Sequence, residues 1–100
     1  MPIRIIVING LNCPVIVCDH CQHPIEKASD GNVHWFMGRT IPAEGVHFLH
    51  KRCTYTFENA HGGRDLWRWM PLKAFPVYLA RNMDLTIEDA ERIADLAGSL

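Results

Sequence analysis

Two short stretches decide how this sequence folds: Cys18-Asp19-His20-Cys21 and His50-Lys51-Arg52-Cys53. Each places two metal-ligand residue types either side of two other residues, and 28 residues separate the two pairs. This spacing lets two side chains converge on one ion at about 2.0–2.3 Å. Three thiolates and one imidazole complete a tetrahedral Zn²⁺ shell and leave no position open for water or substrate. The sequence therefore predicts one structural zinc ion, held by Cys18, Cys21, His50 and Cys53.

The fourth cysteine, Cys13, leaves alternatives open. It could replace His50 and give an all-cysteine site, although it lacks the two-residue pair spacing. Four cysteines could also form two disulfides in a secreted protein, and an isolated Cys-x-x-Cys is also a redox motif. The first residues show no cationic leader before a long apolar stretch, so we expect no signal peptide, reduced cysteines and a cytoplasmic location.

Composition limits the class of protein. The chain has 100 residues, of which 48% are hydrophobic, so it is predicted to fold as one domain over residues 1–100. A domain of this size buries a smaller share of its surface than a large one, and many short chains need a metal or a disulfide. Ten basic and eleven acidic residues nearly balance, which argues against a protein devoted to non-specific phosphate binding. No apolar run reaches the roughly 20 residues needed to span a bilayer, so no membrane partner is predicted.

The first half of the chain is predicted to be rich in strands. Residues 3–8 are β-branched apart from Arg4, and Asn9-Gly10 signals a turn into a second, antiparallel strand over residues 14–17 that leads to Cys18. Residues 25–28, 33–37 and 46–49 are further strand candidates. Residues 29–32 are predicted to form a turn, and residues 38–45, with Pro42, to form a loop.

The second half is predicted to be helical. Apolar spacing predicts a helix over residues 51–60 that Gly62-Gly63 ends, and another over residues 71–82 in which Pro76 is either a kink or the true start. Thr86 is a good N-cap for a final amphipathic helix that stops at Gly98. The aromatic-rich residues 64–70 are given no element.

The predicted fold class is α+β. It consists of a small zinc-binding module of β-hairpins and a short helix, followed by a C-terminal pair of helices that covers an apolar face. A β-rich zinc half over residues 1–61 and a helical half over residues 64–100 would meet at Gly62-Gly63.

Residues 14–60 resemble the treble-clef zinc finger, in which a knuckle, a hairpin and a helix carry the ligands in this order. The Cys-x-x-Cys and His-x-x-Cys order also resembles the first zinc module of LIM domains. The spacer of 28 residues is longer than in LIM modules, and no cysteine follows Cys53, so a full LIM domain is rejected. The resemblance implies protein binding, nucleic-acid binding or, in a minority of treble clefs, nuclease activity, and the fold does not choose among them.

A nuclease would need an open metal site beside a histidine base. The spare histidines stand in no paired arrangement, and the predicted zinc shell is closed, so no enzymatic activity and no catalytic residue are predicted. These histidines are His20, His23, His34, His47 and His61.

Nucleic-acid binding is the alternative function, because cations and aromatic residues alternate over residues 51–73. The candidate contact residues are Lys51, Arg52, Arg64, Trp67 and Arg68. The same tryptophans could instead pack the two halves together while the cations remain solvated. We favour that interpretation, and with it a macromolecular interaction protein whose partner is another protein.

Overall fold

The computed structural model describes residues 3–37 and 45–97, with the backbone alone for Arg64. The strands are β1 (Ile3–Ile8), β2 (Leu11–Ile16), β3 (Gly31–Phe36), β4 (His47–His50) and β5 (Trp67–Pro71). The helices are α1 (Thr54–Ala60), α2 (Phe75–Arg81) and α3 (Ile87–Ala97), and 3₁₀ turns cover Ala28–Asp30, Lys51–Cys53 and Arg64–Leu66. The α+β class is confirmed. No helix in the described ranges is long and apolar enough to cross a bilayer.

Strands β1 and β2 form a two-stranded antiparallel hairpin. Asn9 and Gly10 connect them with positive φ angles of 51° and 80°, the backbone of a two-residue turn that matches the strand twist. The hairpin prediction is therefore confirmed, although β2 begins at Leu11 rather than at Pro14. Pro14 lies opposite Ile5, where a residue without an N–H is tolerated because β2 is an edge strand.

The second sheet has three strands in the order β4-β3-β5, all antiparallel. The predicted strands at residues 33–37 and 46–49 are confirmed with small shifts. Strand β5 was not predicted, and it pairs with β3 from Asn32 opposite Pro71 to Phe36 opposite Trp67. Because β5 follows Gly62-Gly63 in the chain, residues on both sides of that pair share one sheet.

The strand predicted at residues 25–28 is wrong. Ile25 is buried, but the segment makes only an isolated bridge between Val17 and Pro24 and then a 3₁₀ turn. The predicted turn is shorter than expected, since Gly31 already begins β3. A Cβ at Gly31 would lie 2.7 Å from Leu72 Cδ2 and 3.0 Å from Ile25 Cγ2, so any larger residue at this strand position would force these side chains to shift.

The core lies where the turn at Cys18 to Cys21, the three-stranded sheet and α1 meet. Two of the predicted zinc ligands are part of it, which joins the metal site to the hydrophobic core. Its buried members are Cys18, Ile25, Val33, Phe48, Leu49, Cys53, Phe57, Trp67 and Leu72.

The sequence signals for where the C-terminal helices begin agree with the structure, whereas the prediction of what these helices pack against agrees only in part. Helix α2 begins at Phe75 with Pro76 in its first turn, so this proline marks the start of the helix. The Thr86 hydroxyl accepts a hydrogen bond from the Asp89 N–H at 3.1 Å, which confirms the N-cap. The Phe75 ring packs edge-on against Phe48 with centroids 5.5 Å apart.

Helix α3 does not cover the apolar face. It has no buried residue, and Leu96 is 79% exposed. The prediction that both C-terminal helices cover the core is therefore wrong for α3, because an amphipathic pattern shows that a helix has an apolar side but not what that side contacts. Gly98 and most of the predicted 38–45 loop lie outside the described residues.

Candidate metal centre

The first ligand pair lies in a tight turn that we call the knuckle, residues Cys18 to Cys21. The Cys18 N–H donates to the His23 carbonyl at 2.9 Å, and the Gln22 N–H donates back to the Cys18 carbonyl at 2.9 Å. Gln22 closes the turn with a φ of 65°, and its side-chain amide donates to the Asp19 carbonyl at 3.0 Å. These bonds fix the turn and direct both cysteine side chains to one side.

The second pair lies where β4 passes into the 3₁₀ turn at Lys51–Cys53 and then into α1. His50 has extended backbone angles, and the chain turns into helix directly after it. The Thr54 hydroxyl donates to the His50 carbonyl at 3.3 Å and so ties the start of α1 to the end of the strand. Cys53 thereby lies one turn beyond His50.

Asp19 joins the two ligand pairs through backbone and side chain together. Its N–H donates to the Phe48 carbonyl at 2.8 Å, and its Oδ2 accepts from the Phe48 N–H at 2.9 Å. Phe48 precedes His50 by two residues on β4. These two hydrogen bonds hold the strand that carries His50 against the knuckle, which explains how ligand pairs separated by 28 residues in the sequence meet.

The four predicted ligands converge. One ligand atom from each residue lies within 4.8 Å of the others, and all four residues are buried or half-buried. The Cys21 Sγ lies 3.2 Å from the ring nitrogen Nδ1 of His50. The backbone N–H of His50 donates to the Cys18 Sγ at 3.4 Å. All four cysteines of the chain are free, so no disulfide competes with this arrangement.

The second nitrogen of the His50 ring identifies which atom would bind a metal. Nε2 lies 3.1 Å from the Pro24 carbonyl, which can only accept, so Nε2 carries the proton. Nδ1 then presents its lone pair to the three sulfurs. A metal-binding histidine usually donates its other N–H to a carbonyl or a carboxylate in this manner.

The pKa shifts of the ligand cysteines also favour a cation between the four ligand atoms. Burial by itself raises the pKa of the Cys18 thiol, but hydrogen bonds from the backbone of Cys21, His50 and His20 outweigh burial and lower it to about 7. For Cys53, burial and then the neighbouring Cys18 and Cys21 sulfurs raise the pKa to about 12. The site therefore stabilises a thiolate at Cys18 but opposes a second one at Cys53. A divalent cation removes that conflict, because it deprotonates the thiols it binds.

The residues present therefore suit one zinc ion. They supply four soft or borderline donors in a closed set, which is the pattern of structural rather than catalytic zinc sites. Cys13, the alternative ligand, lies on β2 opposite Ile6 and outside this cluster. Its thiol instead points to the Leu11 carbonyl at 3.6 Å.

The candidate nucleic-acid residues lie in different environments. Lys51, Arg52 and Arg68 are exposed, whereas the Arg64 side chain lies outside the described part of the chain. Trp67 is a core residue whose ring packs against Phe36, His47 and Phe57. This burial removes Trp67 from the surface as a stacking residue, and its neighbour Trp69 is the exposed tryptophan of β5.

Sequence reasoning missed a buried polar pair between β3 and α1. The His34 Nδ1 and the Glu58 Oε2 are 2.8 Å apart, and the two side chains are 0% and 5% exposed. The residues are 24 positions apart, so no local motif announces them. Two sequence signals bear on this pair. The strand pattern places His34 on the face opposite Val33, and the helical spacing places Glu58 next to Phe57.

We expect the His34 ring to take up a proton only at a lower pH than an exposed histidine. Burial lowers its pKa below the ordinary value of 6.5, and the nearby Glu58 carboxylate offsets this only in part. The unfolded chain therefore binds more protons just below pH 6.5, so the free energy of unfolding falls as the pH drops through this range. An NMR titration of the ring in the zinc-bound protein measures the pKa directly, and a midpoint at or above 6.5 would contradict the expectation.

Comparisons with protein-family models, with curated proteins and with solved structures found no match to this chain.

Proposed function

We propose that this chain is a non-catalytic zinc module of treble-clef type that binds a partner protein. The knuckle, the β3–β4 hairpin and the helix that begins after His50 follow one another in the treble-clef order. The four clustered ligands support a structural role for the metal, since a closed shell has no exchangeable water. Function then has to come from the surface that the zinc-bound core supports.

The observation that carries the protein-binding proposal is the exposed apolar strand β1. Ile5 and Val7 are 61% and 69% exposed, and Ile3 is exposed on the same face because alternate strand residues point to the same side. Soluble proteins normally place charges along such a strand to block association. Arg4 is the single charged residue of β1.

The backbone of β1 supports the same conclusion. Within residues 3–37 and 45–97, β1 pairs with β2 alone, so its outer edge presents unpaired N–H and C=O groups. An extended segment of a partner protein can add to such an edge, with backbone hydrogen bonds giving affinity and alternate side chains giving specificity. A groove of about 770 Å³ runs beside the hairpin towards the start of α2, lined mainly by apolar residues. We therefore expect the partner to present an apolar, extended segment.

Replacement of Ile5 by glutamate tests this function. The side chain is exposed, so the folded state should persist while the edge loses its apolar character and repels the segment. We expect the zinc-loaded chain to retain a specific protein from a nuclease-treated extract of its native host, and the I5E variant to bind that protein at least about tenfold more weakly, the loss typical of an interface hot spot.

Leu96→Glu is the matched control, because Leu96 is also an exposed apolar residue but lies on α3. It should bind like the unmodified chain. Equal binding by I5E, or retention that disappears with nuclease treatment, would refute the proposal. Sedimentation of the purified chain as a dimer that I5E dissociates would assign the edge to a second copy and would also overturn a heterologous partner.

Nucleic-acid binding is a second candidate function, supported by a different face of the molecule. Lys51 and Arg52 are exposed on the turn before α1, and Trp69 is exposed on the α1 side of β5, whereas Arg68, one residue earlier, lies on the opposite side of the sheet. A binder of this kind would lose affinity steeply with added salt, which distinguishes it from association through the apolar β1 edge.

A further inference from the structure

A groove of about 490 Å³ lies between α1 and β5, on the face of the three-stranded sheet that α1 covers. Helix α1 and the turn before it supply one wall, β5 supplies the other, and β3 supplies the floor. The lining residues are Asn32, Lys51, Thr54, Tyr55, Glu58, Trp69 and Pro71.

The most deeply buried residues of the groove are polar. Asn32 and Glu58 are only 8% and 4% exposed, although both line the groove. The Glu58 Oε2 is hydrogen-bonded to the His34 Nδ1 at 2.8 Å. Two buried side-chain atoms of the described residues, Asn32 Oδ1 and His34 Nε2, have no hydrogen-bond partner, and both residues belong to the same face of β3. Buried polar groups in native proteins are nearly always paired, so the unpaired amide oxygen of Asn32 at the floor indicates that a ligand completes this site.

The walls of the groove are aromatic. Tyr55 and Trp69 remain 60% and 58% exposed, although the Trp69 ring also stacks on His34 at an interplanar angle of 24°. Exposed aromatic rings over a buried polar floor suit a flat ligand that carries hydrogen-bonding groups on its edge. Lys51 is exposed at the same groove and supplies one cation.

We propose that this groove binds a nucleobase that carries a phosphate, either as a free nucleotide or as an unpaired base of a single strand. Each lining group then has a task. Tyr55 and Trp69 stack on the base, the Glu58 carboxylate accepts from a base amino group, and the Asn32 amide offers both a donor and an acceptor. Lys51 pairs with the phosphate. A cationic ligand such as an alkylated ammonium fits less well, because Lys51 would repel it.

The proposal goes beyond the protein-binding function and uses none of the β1 surface. Its single-strand form rests on the second candidate function, whereas its nucleotide form does not. Binding of mononucleotides without tighter binding of an oligonucleotide would therefore keep the groove as a nucleotide site while rejecting nucleic-acid binding.

The test uses the zinc-loaded full chain with four mononucleotides and a single-stranded RNA of about eight nucleotides, followed by the Trp69 indole signal in NMR spectra. Tyr55→Ala removes one stacking ring, and Tyr78→Ala is the control because Tyr78 is an exposed tyrosine of α2 away from the groove. We expect Y55A to weaken binding about 5- to 150-fold, the range that the loss of one base–aromatic stack produces. Y78A should change it less than about twofold.

Glu58→Gln adds a readout that a merely structural role would not produce. The amide of glutamine accepts a hydrogen bond less strongly than the carboxylate. E58Q should therefore weaken the binding of adenine, cytosine and guanine nucleotides more than the binding of uracil nucleotides, because uracil has no amino group. Three results would overturn the proposal: no shift of the Trp69 signal with any nucleotide, equal affinity for ribose 5-phosphate, or equal losses in Y55A and Y78A.

Discussion

Replacement of Cys53 by serine is expected to unfold most of residues 14–60. Cys53 is buried in the core and is one of three sulfurs in the ligand cluster, so its loss removes the metal and leaves a polar group in an apolar site. Zinc binding contributes about 10–16 kcal/mol of folding free energy in finger peptides. That is as large as the entire stability of most domains, about 5–15 kcal/mol. Loss of dispersion in amide NMR spectra and loss of bound zinc by elemental analysis would record the unfolding, and C18S should behave in the same way.

Cys13→Ser is the matched control for this prediction. Cys13 is the same residue type on the same half of the chain, half-buried but outside the ligand cluster. C13S should bind one zinc ion and keep a native-like spectrum. A C53S chain with unchanged thermal stability would refute a structural zinc at this position, and loss of zinc from C13S would replace the assigned ligand set with another.

Glu58→Ala is expected to cost about 3 kcal/mol of unfolding free energy, the second-largest effect. It leaves the fully buried His34 ring without its partner at Nδ1, while Nε2 already lacks one. Because burial favours the neutral His34 ring, the cost is that of a buried neutral group left unpaired, about 1–3 kcal/mol, and the complete burial of His34 places it at the upper end. Urea unfolding of the zinc-bound variant, compared with the unmodified chain, measures the difference.

Two further variants separate the pair from the helix that carries Glu58. Asn59→Ala changes the next, exposed residue of α1 and should stay within about 0.5 kcal/mol of the unmodified chain. A chain with both His34→Leu and Glu58→Leu should recover most of the lost stability, because an apolar replacement leaves no buried group unpaired. If E58A and N59A cost the same, the pair makes no special contribution to stability.

The zinc site was predictable because its information is local. Each ligand pair is set by a spacing of two residues, and turn and strand signals on either side of Cys18 and His50 indicate how the pairs are presented. The Asn9-Gly10 hairpin and the Thr86 N-cap were predictable for the same reason. In each case a few neighbouring residues determine the backbone conformation.

The features that the sequence did not predict depend on contacts between distant residues. Strand β5 alternates Trp67 inside with Arg68 outside over only a few residues, and its partner β3 lies more than 30 positions earlier. The pairing of His34 with Glu58 joins a strand to a helix through a buried contact that no spacing rule records. The exposed apolar face of α3 is a further example, since periodicity fixes the pattern of a helix but not the surface that meets it.

The four ligand residues are not equally sheltered, since Cys21 is half-buried whereas Cys18, His50 and Cys53 are buried. A chelator or an acceptor protein removes a metal by displacing one donor at a time, and the incoming group reaches the most accessible donor first. Cys21 is therefore the ligand at which release of a bound ion would begin, and of the three ligand sulfurs it is the one that an oxidant would reach first. The depth of each ligand thus sets the order in which this protein would give up its metal.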